Sequence, residues 1–281
     1  MLELSLWLII LIAVIAFLCE YMDSTLGMGY GTTLTPVLML FGFAPIQIVP
    51  SVLLSELITG IIGGIFHHRE GNVNLKPKTT NIPLIWKKLN SLGYVESYKR
   101  GIPLHLKVVF MLVLSSIIGA VSAVFTAQIL PKFLVQLYIS VLVISMGIII
   151  LICLNKEFPF SWFKIFGIGS IASFNKGLTG GGYGPLIVSG QVLSGIEGKS
   201  AVGTTSLAEG LTCLIGVITY ILTSKNPIDW KLAPIIITGA ILSVPLSAKS
   251  VKKISSKRLK LIIGIFTIVL GIITLIKILK K

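Results

Sequence analysis

Two glutamates and a lysine stand where an apolar chain offers them no water. Glu56 lies in VPSVLLSELITGIIGG, Glu209 in VGTTSLAEGLTCLIG, and Lys176 closes an apolar run in SIASFNKGLTGGG. An ionisable group at membrane depth is expensive, so it pairs, lines a polar path or serves function. A carboxyl there can take up and release a proton, and an ammonium there can meet an anion. Each residue also has a plainer role open to it. Glu56 and Glu209 could be structural acids bonded to the opposing glycine loop, and Lys176 could run its stem to the interface. Asp23 is the third acid of interest, either in proton coupling or simply at a helix end.

Two glycine clusters accompany these charges. Gly27, Gly29, Tyr30 and Gly31 lead into Thr32, Thr33 and Thr35, and Gly180, Gly181, Gly182, Tyr183 and Gly184 lead into Pro185. Each pattern predicts a loop that opens a helix, since proline is favoured in the first helical turn. Free N–H groups and the dipole at a helix start favour an anion, and glycine lets a ligand approach the backbone. Close helix packing or a hinge is the alternative for glycine alone. Polar neighbours favour a site: Asp23, Ser24 and Thr25 precede the first cluster, and Asn175, Lys176 and Thr179 the second. Thr204 and Thr205, with Ser51, Ser55 and Ser206, would face the same region as hydroxyl donors. Such hydroxyls otherwise bond the backbone of the previous turn.

The elements that must position these residues occur twice. Laid without a gap over residues 180–216, residues 27–63 match at Gly27/Gly180, Gly29/Gly182, Tyr30/Tyr183, Gly31/Gly184, Glu56/Glu209 and Gly63/Gly216, among others. Apolar chains share Leu, Ile and Val by chance, but not these glycines, a tyrosine and a glutamate in register. An internal duplication in a membrane chain points to a transporter. Apolar segments fall at 1–22, 28–43, 46–66, 107–127 and 133–154, then at 161–175, 182–194, 200–222, 231–248 and 259–278. Segments 28–43, 161–175 and 182–194 are shorter than the ~20 residues of a full crossing. Short, glycine-broken segments at matching places are the sequence pointer to a transporter's binding site. Beyond the motif Lys107 falls on Lys231 and Gly147 on Gly271, which makes residues 69–107 an insertion, expected to carry some short helix.

Composition sets the class. The 281 residues are 54% apolar and 12% charged, with mean hydropathy +0.96; a soluble chain carries about 25% charged residues. Helix-length apolar runs without alternation favour helices over a barrel. The net charge of +14 sits in a few loops between apolar runs, the cytoplasmic-loop pattern and not a nucleic-acid surface. Eight Lys and Arg lie between Arg69 and Lys107, against two, Lys225 and Lys231, in the matching loop of the second half. One, Lys132, follows the fourth segment, against six in 249–260. The reversed bias, and an odd number of segments per half, predict halves inserted upside down relative to each other, with loops 69–107 and 249–260 cytoplasmic. The terminal Lys277, Lys280 and Lys281 then lie outside. Residues 1–18 carry no Lys or Arg and are read as a retained helix, not a signal peptide.

Other chemistries find little support. GMGYG and GGYG look like a potassium filter, but a filter needs several such loops around one axis. Nucleotide-binding glycine loops follow a strand in a soluble unit. His67 and His68 beside Arg69 suit the membrane edge better than a metal site, and Cys19, Cys153 and Cys213 have neither metal nor redox spacing. No HExxH, GxSxG or clustered His suggests an enzyme, and no cofactor, metal or catalytic residue is expected.

The stretches DSTLGMGYGTTLTP, NKGLTGGGYGP and GKSAVGTTSLAEG, with the two-half layout and the length, resemble the sulfite exporter TauE/SafE family, also called the toluene-sulfonate uptake permeases. The resemblance covers nearly the whole chain and implies transport of small sulfur-containing anions (sulfite, thiosulfate or organosulfonates) across a prokaryotic plasma membrane. Where family members often carry three glycines in a row, the first cluster reads G-M-G. The expectation is therefore an all-α integral membrane protein of two inverted repeats, 1–154 and 155–281, each of about five segments with short or re-entrant broken helices. Its partners are a small anion and the lipid bilayer, with a homo-oligomer left open. A channel-like conduit is the alternative, and a membrane-embedded enzyme a more distant one.

Overall fold

In lipid every backbone group must be satisfied within the chain, and a helix does this segment by segment. The computed structural model, which describes residues 5–77, 81, 84, 91, 101–127, 129–152, 160–224 and 227–279, contains ten helices and no strand among those residues. They are α1 (Leu6–Leu26), α2 (Tyr30–Leu40), α3 (Pro45–Arg69), α4 (Leu104–Ala127), α5 (Lys132–Ile152), α6 (Trp162–Thr179), α7 (Tyr183–Leu193), α8 (Gly198–Thr223), α9 (Ala233–Lys253) and α10 (Ser256–Leu279). Helices α1, α3, α4, α8 and α9 are long and apolar enough to cross a membrane. At 11 residues each, α2 and α7 reach about 16 Å, half a hydrocarbon core. The short helix expected in 69–107 falls largely outside the described residues.

Exchanging the halves preserves the main helix pairs. Helix α1 lies on α9 as α6 lies on α4, α3 lies against α9 as α8 lies against α4, and α3 pairs with α8 and α5 with α10. Each short helix sits in its own apolar core. Tyr30, Leu34 and Leu38 of α2 pack with Ile12, Ala16, Ile48 and Ile236; Tyr183, Leu186 and Ile187 of α7 pack with Leu112, Ile165 and Ala172. Glycines let backbones touch where the halves meet, since small residues permit close helix approach. A Cβ at Gly60 of α3 would stand 2.7 Å from Gly210 Cα of α8. That crossing brings Glu56 and Glu209 to one place.

Four helices run three or more residues past their expected ends. Helix α1 continues to Leu26, α6 to Thr179, α3 to Arg69 and α9 to Lys253, not to 22, 175, 66 and 248. The polar residues there, Asp23 to Thr25 and Asn175 to Thr179, are buried helical residues. In a soluble chain such residues would mark a loop; here they face the protein interior.

Candidate functional site

The glycine loops follow directly from helix ending. Helix α1 stops at Gly27 with φ 74°, its N–H donating to Asp23 O at 2.5 Å, and α6 stops at Gly180 with φ 72°, its N–H donating to Lys176 O at 2.8 Å. A side chain resists this left-handed region, and glycine does not. The loops then cross. A Cβ at Gly31 would run into the Gly180 carbonyl oxygen, and a Cβ at Gly184 would run into that of Gly27. These are matching contacts in the two halves, and Tyr30 and Tyr183 behind them are fully buried.

The three charges form one cluster. Lys176 Nζ lies 2.7 Å from Glu209 Oε1 and makes a second, shorter ion pair with Glu56 Oε2. All three side chains are almost wholly buried, so Lys176 does not reach an interface. Cys213 Sγ lies 3.7 Å from Glu56 Oε2. Asp23 Oδ1 accepts the Tyr30 N–H at 3.2 Å, and Tyr30 Oη shares a 2.7 Å hydrogen bond with Ser55 Oγ. In the other half Thr212 Oγ1 donates to Tyr183 Oη at 3.3 Å. Charges removed from water need excellent mutual geometry to persist, and one ammonium between two carboxylates supplies it for α3, α6 and α8 together.

A fourth buried acid lies near this set. Glu20, 2% exposed, lies near Asp23, Glu56 and Glu209 and beside Thr59. A carboxylate inside the first apolar segment was the available signal. Gln191 is the other addition: its Nε2 donates to Thr205 Oγ1 at 2.8 Å and its Oε1 accepts from Thr204 Oγ1. Thr204 and Thr205 are thereby engaged, and Thr204 also bonds Ser200 O. Thr179 Oγ1 bonds Asn175 O at 2.8 Å and accepts the Gly181 N–H at 3.1 Å. Thr32 Oγ1 accepts the Gly182 N–H at 3.2 Å, which ties α2 to the opposite loop. Ser51 donates to Gln47 O at 2.8 Å.

His67 is an interior residue near the end of α3. It is 0% exposed; its Nε2 donates to Ser24 O at 2.9 Å and its Nδ1 accepts from Asn72 Nδ2 at 3.1 Å. It pins the end of α3 to the end of α1. Tyr220 does the same across the other half, with its hydroxyl donating to Gly177 O at 3.3 Å. Among the described residues no group of three or more His, Cys, Asp or Glu could hold a metal ion.

Fold and site define an all-helical membrane protein with paired half-length helices around an enclosed ion cluster. The chain belongs to the sulfite exporter TauE/SafE family, whose model matches residues 12–86 and 87–274. It is 27% identical over 281 residues, 95% of this chain and 83% of the relative, to a protein of Bacillus subtilis (strain 168) described as "Probable membrane transporter protein YtnM". No solved structure matches it.

Proposed function

We propose that the protein is a secondary transporter of small sulfur-containing anions, with sulfite, thiosulfate and organosulfonates as the class, working by alternating access in a prokaryotic plasma membrane. The observation that carries this reading is Lys176 enclosed between Glu56 and Glu209 beside the crossing of two glycine loops. The family's description and the relative's name support transport and the sulfur oxyanion. The halves, 1–154 and 155–281, are inverted repeats, with loops 69–107 and 249–260 on the cytoplasmic side. The packing that survives exchange of the halves supports the repeat, and the loop charges support the inversion.

The substrate binds where the loops cross, among Gly27, Gly29, Gly31 and Gly180 to Gly184. Lys176 meets the anion only when one of its two carboxylates is neutralised or moves away. Protonation of Glu56 or Glu209 therefore frees the ammonium and links the proton to the anion, with Asp23 and Glu20 as neighbouring proton sites. The glycines act as hinges while the short helices and their partners move between inward-facing and outward-facing forms. The chain acts as a transporter and not an enzyme.

A thermal-shift titration of the detergent-purified protein with sulfite, thiosulfate, sulfate, taurine and chloride tests the reading. A ligand that binds only the folded state stabilises it by about 2.7 kcal/mol at a hundredfold excess over Kd. Saturable stabilisation by a sulfur oxyanion and not by chloride is expected. No shift with any of them would overturn the substrate class.

A further inference from the structure

The two helix starts at the glycine loops match in sequence register and differ in what fills them. At α2 the Asp23 carboxylate takes the Tyr30 N–H at 3.2 Å, so this positive helix end already holds an anionic group. Asp23 precedes Gly27 as Lys176 precedes Gly180 (27 − 23 and 180 − 176, four residues in each). At α7 the matching place is therefore a lysine, and no side chain caps the helix.

Asn175 lies against that uncapped start. Its Cβ is 3.5 Å from where a Cβ of Gly182, the residue capping α7, would stand. It is 0% exposed, and neither Oδ1 nor Nδ2 has a hydrogen-bond partner in the protein. At the same loop, the Thr35 hydroxyl, also buried and without a partner, is 3.3 Å from the Cβ position of Gly180. Burying an amide without partners is costly, and such groups in a native fold call for an explanation. Helix α7 is 11 residues long, enough for its aligned peptides to favour negative charge at the first turn.

We propose that the protein has a single oxyanion site, asymmetric between the halves, at the start of α7. Asn175 Nδ2 and Thr35 Oγ1 donate to the anion there, together with the first amides of α7, and Asp23 closes the equivalent start of α2 to anions. The proposal rests on the anion-transport reading and deepens it. The asymmetry fits a carrier with one substrate per cycle: two open helix starts would offer two competing sites, and an anion at α2 would face a carboxylate.

Calorimetric titration of the purified full chain with sodium sulfite, with sodium thiosulfate and with taurine tests this. The variants are Asn175→Ala, Thr35→Val and Met22→Ala, the last being the position that matches Asn175 in the first half (22 + 153 = 175, with 180 − 27 = 153). Tenfold or greater loss of affinity is expected for Asn175→Ala and Thr35→Val, with Met22→Ala within twofold of the parent. Asn175→Leu serves as the folding control, because its amide bonds nothing in the protein. Its melting temperature is expected to equal or exceed that of the parent while anion binding is lost, a combination that a merely structural asparagine would not give. If the parent binds and Asn175→Ala retains its affinity, the site assignment is overturned and the transport reading stands. If the parent binds neither anion, nor taurine, both are overturned together.

Discussion

Asp23 and Lys176 occupy the same place in the two halves, four residues before the glycine that ends each helix, yet one is a carboxylate that caps its own loop and the other an ammonium that binds α3 and α8. Around them the backbone repeats closely. Gly27 and Gly180 share a left-handed conformation, Gly31 and Gly184 press on matching carbonyls, and His67 and Tyr220 tie matching helix ends at Ser24 and Gly177. The comparison teaches that what the helices need in order to cross and stop is the same in both halves. The polar groups inside differ, and the proposed site for one anion needs that difference.

The largest expected effect lies at the charge that differs. Lys176→Met leaves Glu56 and Glu209 buried without their cation and should cost about 3–5 kcal/mol, the range for breaking a buried pair. Asp23→Asn keeps an acceptor for the Tyr30 N–H and should cost no more than about 1 kcal/mol, the range for one neutral hydrogen bond. Denaturation of the detergent-purified variants would rank them, and a reversed order would remove the ion cluster from its central place. Adding Glu56→Gln and Glu209→Gln to Lys176→Met should restore most of the lost stability.

Next come the shared contacts, where the halves should respond alike. Gly31→Ala and Gly184→Ala each place a methyl group against a backbone carbonyl. Both should sharply reduce the yield of monodisperse protein on gel filtration. A well-folded, active Gly31→Ala alongside a collapsed Gly184→Ala would show that the loop crossing is not equivalent in the two halves.

Smaller effects should sharpen the difference between the ties. His67→Ala removes bonds to Ser24 and Asn72 and should cost about 1–3 kcal/mol, whereas Tyr220→Phe loses one hydrogen bond and should cost about 1 kcal/mol or less. Smallest of all is the pair of buried phenols. Tyr30→Phe, which loses a 2.7 Å bond to Ser55, should destabilise more than Tyr183→Phe, whose bond to Thr212 is 3.3 Å. Melting temperatures of the four variants would check both rankings.

The register match between the two halves was legible because shared glycine, tyrosine and glutamate are improbable in an apolar chain, and the same residues lie where the halves meet. All ten helices were visible as apolar runs. Their ends were not, because Asp23 and Asn175 look like loop residues until a neighbouring helix buries them. Lys176 and both glutamates stood out by their cost in lipid, but no spacing within one segment reveals that an ammonium bridges helices from both halves. The partner of Tyr30 depends on the close crossing of α1, α2 and α3, and Gln191 had no recognisable pattern around it. Asn175 was visible as a polar neighbour of the second cluster; its lack of a partner appears only once the fold closes around it.

The most direct test of the account is uptake of radiolabelled thiosulfate into liposomes holding the purified protein, with unlabelled sulfite as competitor and protein-free liposomes as the baseline. Saturable, protein-dependent uptake is expected, suppressed by sulfite, faster when the outer medium is acidified, and lost in Asn175→Leu. Uptake at the protein-free rate, with thiosulfate and with labelled sulfite and taurine in turn, would contradict it.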